Sequence, residues 1–257
     1  MDAPIPAADP GLIDPPPGGA LVWRHHLVTR LWHWFNALVV AVMLMSGLMI
    51  FNAHPRLYWG QAGFARADAW LVLGKPGGAA FPGWITLPSY YSLADARLWH
   101  LAFAWPLALA LAFYLGWSIN AGHLRRDIWP RLAELTPAHL WHDIVAHVRL
   151  RFPTGEAALR YNVLQKLAYA AVLVLLLPGI VLTGLAMSPG MDAAWPWLFD
   201  LFGGRQSARS IHFLCAFALV AFFVVHIAMV LLAGPVNEVR SMLSGWYRLP
   251  QERELQP

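Results

Sequence analysis

Cysteine is almost missing from this chain. Cys215 stands alone among 257 residues. That excludes a disulfide framework, and it excludes an iron–sulfur cluster, which takes about four thiolates. The C-x-x-C-H run of covalently attached haem is missing as well. Charge is scarce: Asp, Glu, Lys and Arg make up 12% of the residues, against about 25% in an average soluble domain. The net charge of +4 gives no reason to expect nucleic acid as a partner.

What is present is apolar surface and histidine. Apolar residues make up 58% of the chain, and there are eleven histidines. Mean hydropathy is +0.50. A soluble sphere of this size cannot hide that much apolar surface, so the chain reads as an integral membrane protein. Four apolar stretches, residues 31–51, 97–119, 163–187 and 210–233, each match the 17–25 residues or so of a membrane helix. The expected fold is all-α, an integral membrane four-helix bundle with both termini cytoplasmic. Residues 22–245 form the membrane domain, between flexible tails at 1–21 and 246–257. The first tail is Pro-rich and has no hydrophobic run, so it is not read as a signal peptide. Pro106 and Pro178 lie inside the second and third stretches, where proline is tolerated but predicts a kink.

Orientation follows from the basic residues. With the N-terminus inside, twelve Lys and Arg residues fall on the inner side and six on the outer, which favours cytoplasmic termini. Trp and Tyr gather at the stretch ends (Trp32, Trp34, Tyr58, Trp59, Trp117, Tyr161), as an interfacial belt does. The outward loop, residues 52–96, is long enough to expect a function or a partner. Inside, Thr136-Pro137 reads as an N-cap followed by proline at the first helical position. Leu140, Ile144, Val148 and Phe152 then share a face, which predicts a short amphipathic helix at the membrane surface.

Four histidines fall in or at the edge of the spans: His33, His100, His212 and His226. Ionisable groups inside a bilayer are costly and mark function by default. His212 and His226 are 14 residues apart, about 3.9 turns, so they share a face and lie roughly 21 Å apart along the axis. Tracing the spans in and out pairs His33 with His226 on the inner side and His100 with His212 on the outer. Two imidazoles from facing helices are the axial ligands of a six-coordinate haem iron made for electron transfer. Gly47 lies 14 residues after His33, on the same face at the depth of the outer pair. It leaves room there for a flat macrocycle, or serves ordinary close helix packing. Arg30, Arg97 and Arg209 at the membrane edge suit haem propionates, and equally suit topology anchors. A haem-free transporter or scaffold with a histidine relay or metal site is the alternative. Proton-coupled transporters place carboxylates inside the spans, and these four stretches contain none.

These residues resemble a known family. Arg30-Leu31-Trp32-His33-Trp34-Phe35-Asn36, Ala96-Arg97-Leu98-Trp99-His100, Tyr161-Asn162-Val163-Leu164-Gln165-Lys166 and the 14-spaced His212 and His226 are similar to the bacterial di-haem cytochrome b561 and nickel-hydrogenase cytochrome b superfamily. Within it the chain most resembles the thiosulfate reductase and formate dehydrogenase cytochrome b subunits. The resemblance implies two b haems on the paired histidines and a multi-pass place in the bacterial inner membrane. It implies a quinone site near the start of the third span, carried over to Asn162, Gln165 and Lys166. The bare residues also allow Asn162 and Gln165 to be simple helix caps. A periplasmic redox subunit, of the molybdopterin oxidoreductase kind, is the implied partner through the long outer loop. The chain is then an electron-transfer subunit of a respiratory complex, catalytic only at quinone. His54 is placed at the outer haem edge or the partner surface.

Overall fold

A computed structural model describes residues 19–75, 77–150 and 158–249. Its elements, in chain order, are β1 (Leu21–Trp23), α1 (Leu27–Asn52), β2 (Arg56–Leu57), β3 (Leu71–Val72), α2 (Leu93–Asn120) and α3 (Pro137–Val148). There follow α4 (Val163–Met187), α5 (Pro189–Ala194), α6 (Trp197–Phe202), α7 (Arg205–Ala233), α8 (Pro235–Ser244) and β4 (Trp246–Arg248). α1, α2, α4 and α7 are each long and apolar enough to cross a membrane. The fold is an all-α membrane bundle.

Three of the four long helices start ahead of the expected residue, and α4 starts at it, because hydropathy and hydrogen bonding stop at different places. α1 and α2 each begin four residues early and α7 five, through turns that carry Arg30, Asp95 and Arg205. The hydrocarbon core limits the apolar stretch, while the backbone ladder runs on into the polar layer. Ser92 caps α2 by accepting from Asp95 N at 3.2 Å. α2 runs unbroken through Pro106. In α4 a π-helical segment, Ala171–Leu176, sits just ahead of Pro178. Proline has no N–H to return to the preceding turn, and the wider register absorbs the mismatch.

α1 packs along α2, and α4 along α7. A buried cluster of Val39, Leu107, Leu111, Tyr114, Leu173 and Leu177 joins α1, α2 and α4, with Trp32 stacked on Tyr114 at 4.1 Å. The helix contacts are made by small groups, and Ser46, Ser118, Thr183 and Ser210 are fully buried. Large apolar side chains such as Leu38, Leu98, Phe113 and Val225 face outward. That inside-out distribution suits lipid as the surrounding medium.

Two features lie outside the helical pattern. β1 pairs antiparallel with β4, so both ends of the described chain lie on one side of the bundle. Leu21 and Trp246–Arg248, read from sequence as tail, are thus part of the fold; residues 1–18 and 250–257 lie outside the described residues. Arg24 clamps the pairing, 3.2 Å from Glu238 and 4.3 Å above the Tyr247 ring. Gly245 has φ +89°, and a Cβ there would come within 2.7 Å of the Trp23 ring, so only glycine fits. At the other end the outer loop is tied down. Gly60 O accepts from Gln206 N and Ser207 N, capping the start of α7. Asn52 Oδ1 accepts from Ala80 N and Phe81 N at 2.9 and 2.8 Å.

α3 begins as the sequence indicates. Thr136 accepts from His139 N at 3.4 Å and Pro137 is the first helical residue. Its inward edge is polar: Asp143 is buried and accepts from Val163 N at 3.1 Å. Ile144 and Val148 are exposed, so the apolar stripe is turned away from the protein. Phe152, expected to extend it, lies outside the described residues.

Candidate functional site

α7 presents His212 and His226 to two different helices. His212 faces His100 of α2 with ring centroids 6.2 Å apart and planes at 59°. His226 faces His33 of α1 with centroids 6.2 Å apart and planes at 58°. Both pairs foreseen from the spacing come together, and their geometry is nearly identical. A histidine nitrogen binds a transition metal at about 2.0–2.1 Å, so two imidazoles on opposite sides of one iron put their centroids roughly 6 Å apart. The residues present fit a bis-imidazole iron.

The outer pair is held by hydroxyl groups. Ser46 Oγ donates to Val42 O at 2.7 Å and lies 3.0 Å from His100 Nδ1. Its single proton is used on the carbonyl, so it accepts from His100 Nδ1–H. Thr183 repeats this on α4: Oγ1 donates to Gly179 O at 2.7 Å and accepts from His212 Nδ1–H at 3.0 Å. Each imidazole therefore keeps the lone pair of Nε2 for a metal, the tautomer a second-sphere acceptor selects. The next residue in both helices is glycine. A Cβ on Gly47 would sit 3.4 Å from His100 Cε1, and one on Gly184 3.5 Å from His212 Cε1. Gly47 thus backs the imidazole itself, where any larger side chain would press on the ring. Sequence reading missed Ser46, Thr183 and Gly184. The signal was there as the paired dipeptides Ser46-Gly47 and Thr183-Gly184, one on each helix that packs beside a histidine helix.

The inner pair is set by aromatics. Phe222 stacks on His226, centroids 5.6 Å apart at 13°, and Trp34 meets His33 edge-on at 5.0 Å. His33 Nδ1, Trp32 Nε1 and Asn36 Oδ1 are buried polar atoms with no protein partner. Buried groups left unpaired in this way point to a ligand or water between them.

The arginines and the third-span residues have protein roles. Arg30 Nη2 donates to Leu243 O, anchoring the terminal clasp beside the inner pair. Arg97 is exposed on α2, three residues before His100. Asn162 and Gln165 form a reciprocal capping box at the start of α4, Oδ1 accepting from Gln165 N at 2.9 Å and Oε1 from Asn162 N at 3.2 Å. Asn162 Nδ2 also reaches His147 Nε2 at 3.3 Å. Lys166 Nζ grips both Glu134 oxygens at 2.7 and 2.9 Å. Burial works to raise the Glu134 pKa, but the bonds from Lys166 and Arg131 N outweigh it and hold the carboxyl below its ordinary value. On the outer side Arg209 of α7 donates to His54 O and lies 3.3 Å from its Nδ1. Burial, with the Arg209 and Arg56 cations, pushes the His54 imidazole below the usual range. His54 therefore ties the outer loop to the helix that carries His212. His25, before α1, is pushed down to about 3 by burial and by the Arg24 cation beside it.

The chain is similar to known proteins over most of its length. Residues 24–245 match the family described as prokaryotic cytochrome b561. A relative from Azospira oryzae, named as a protein-methionine-sulfoxide reductase subunit, is 30% identical over 207 residues, covering 79% of this chain and 87% of its own. A Ni/Fe-hydrogenase B-type cytochrome subunit from Azotobacter vinelandii is 24% identical over 249 residues, 90% of each chain. The cytochrome YdhU of Escherichia coli is 28% identical over 240 residues, 90% of this chain and 76% of its own. Paired imidazoles in a four-span bundle and a match over nearly the whole membrane domain lead to one assignment: the chain belongs to the prokaryotic cytochrome b561 family of multi-pass, b-type membrane cytochromes.

Proposed function

We propose that the chain holds two b haems, one on His33 and His226 and one on His100 and His212, and carries electrons across the bacterial inner membrane between a redox enzyme subunit and quinone. The observation that carries this reading is the repeated 6.2 Å separation of the two histidine pairs, on a helix that sets them roughly 21 Å apart in depth. Bound haem would supply a one-electron iron couple, and each iron would be held by the two imidazoles of its pair, the ligand set of electron transfer. The chain fixes the imidazoles, excludes water with apolar helices and offers charge at the edges. Arg97 at the outer edge has no side-chain partner among the described residues, and Arg30 at the inner edge keeps donors beyond the one given to Leu243 O; each is suited to a propionate.

The relatives named as hydrogenase and sulfoxide-reductase subunits support a redox enzyme as partner. The excess of basic residues on the side of the termini supports a cytoplasmic position for them and a periplasmic one for the long outer loop, which we read as the partner's docking side. Quinone is read at the opposite edge, at the start of α4. Centroid distances of 5.2, 6.2 and 5.6 Å connect Tyr161, Tyr169, Phe222 and His226, an aromatic line from the Asn162–Lys166 turn to the inner pair. The Gln165 amide NH2 has no partner among the described residues and is the hydrogen-bond donor in place for a quinone carbonyl.

Single substitutions test the pairing. His33→Ala and His226→Ala should each remove one haem and the same one; His100→Ala and His212→Ala should each remove the other. A variant set that divides in any other way contradicts the assignment. Gln165→Leu should raise the apparent KM for quinol with the haem content unchanged, and an unchanged KM removes Gln165 from the site.

A further inference from the structure

Three arginines share one cavity at the terminal-side end of α2. Gly122, Arg125, Arg126, Trp129, Pro130 and Arg131 line it, and its volume is about 460 Å³, inside the range of roughly 300–1,000 Å³ typical of small-ligand sites. The chain builds it just beyond the last apolar turn. α2 ends at Asn120, Gly122 reverses the backbone with φ +69°, and Leu124–Ile128 forms a π-helical turn. His26 lies near His123, with ring centroids 6.5 Å apart, so the cavity is at the same membrane edge as the chain ends.

The positive charge there is only partly neutralised from within, at Arg126. Asp127 is taken up by His123 Nδ1 at 2.7 Å and by Arg126. Glu134 is taken up by Lys166 and by Arg131 N. Arg125 has no side-chain partner among the described residues. Apolar groups flank the cavity: Trp129, in its lining, is 51% exposed and Leu132, just after it, 88%.

We propose that this cavity binds the phosphate headgroup of an anionic phospholipid, with the acyl chains over Trp129 and Leu132. Guanidinium forks match phosphate oxygens in geometry as well as charge. A basic pocket at a helix end selects an anionic lipid over a zwitterionic one, and Trp129 sits at the headgroup depth where interfacial Trp gathers. A soluble phosphate has no use for the apolar rim, so the lipid is the source the surface favours. The site does not depend on the haem assignment.

The test uses the full chain purified in detergent and stripped of lipid by exchange, with native mass spectrometry reading retained short-chain phosphatidylglycerol or phosphatidylcholine. Phosphatidylglycerol should be retained and phosphatidylcholine lost. The double variant Arg125→Gln/Arg131→Gln should bind phosphatidylglycerol at least about tenfold more weakly. Arg66→Gln, at the opposite edge of the bundle, should bind as wild type, and circular dichroism checks that each variant is folded. Equal retention of the two lipids by the wild-type chain, which needs no variant, overturns the proposal. So does a folded double variant with undiminished binding. Displacement of phosphatidylglycerol by millimolar inorganic phosphate would also overturn it, by assigning the cavity to a soluble anion.

Discussion

Ser46 and Thr183 act on the two outer imidazoles from behind. Each hydroxyl accepts from Nδ1–H at 3.0 Å, and a ligand whose second nitrogen is hydrogen-bonded is the more basic ligand. Thr183→Val keeps the shape and removes the acceptor. It should loosen the outer haem by about tenfold or more and raise its midpoint potential, leaving the inner haem unchanged; a potentiometric titration followed at the haem bands checks this. An unshifted outer potential would show that the hydroxyl only packs. Gly204 is a second residue with a single solution. It has φ +114°, and a Cβ there would lie 2.6 Å from Gly60 C and O. Gly204→Ala should therefore cost more than about 1 kcal/mol and free the outer loop from α7, read as faster proteolysis within residues 59–70. The four histidines were legible from sequence because a bilayer makes them conspicuous. The hydroxyls were not, because Ser and Thr are common in membrane helices and only the packing of α1 on α2 and α4 on α7 tells which of them meet a ring.

Among the elements, the terminal clasp is sensitive to pH. His25 follows β1, is buried, and has its pKa pushed down from 6.5 to about 3 by burial and by Arg24. The opened clasp binds the proton that the closed one refuses, so its stability is complete above pH 6.5 and falls as pH drops toward 3. One unit below 6.5, amide protection in β1 and β4 should have fallen by up to about tenfold relative to pH 7.5. Hydrogen exchange corrected for intrinsic rates measures this, and flat protection between the two conditions would contradict it. The helices themselves were readable, since twenty or so apolar residues in a row have one stable form in lipid. β1 and β4 were not, because three-residue strands carry no period and their pairing joins residues more than 200 positions apart. The capping box of Asn162 and Gln165 was readable as a cap from the bare residues. The grip of Lys166 on Glu134 was not, since it depends on the fold of the intervening segment.

At the scale of the whole molecule, one helix organises the rest. α7 packs on α4, is held at its start by the outer loop through Gly60, and meets α1 and α2 through its histidines at two depths, with Phe213 beside Phe51 of α1 at the outer end. Four spans and a strand pair between the two ends put both ends on one side, so impermeant labels on Leu21→Cys and Leu249→Cys should react from the same face of sealed vesicles; opposite sidedness would break the topology. The order of spans and the pairing of depths were legible because tracing alternating helices needs no side-chain detail. The terminal-side cavity took the folded loops to see. The measurement that bears most directly on the account is a reduced-minus-oxidised absorption spectrum of the purified chain, with haem counted against protein. Two b haems per chain are expected, falling to one in His226→Ala; one haem or none in the wild-type chain would contradict the paired assignment.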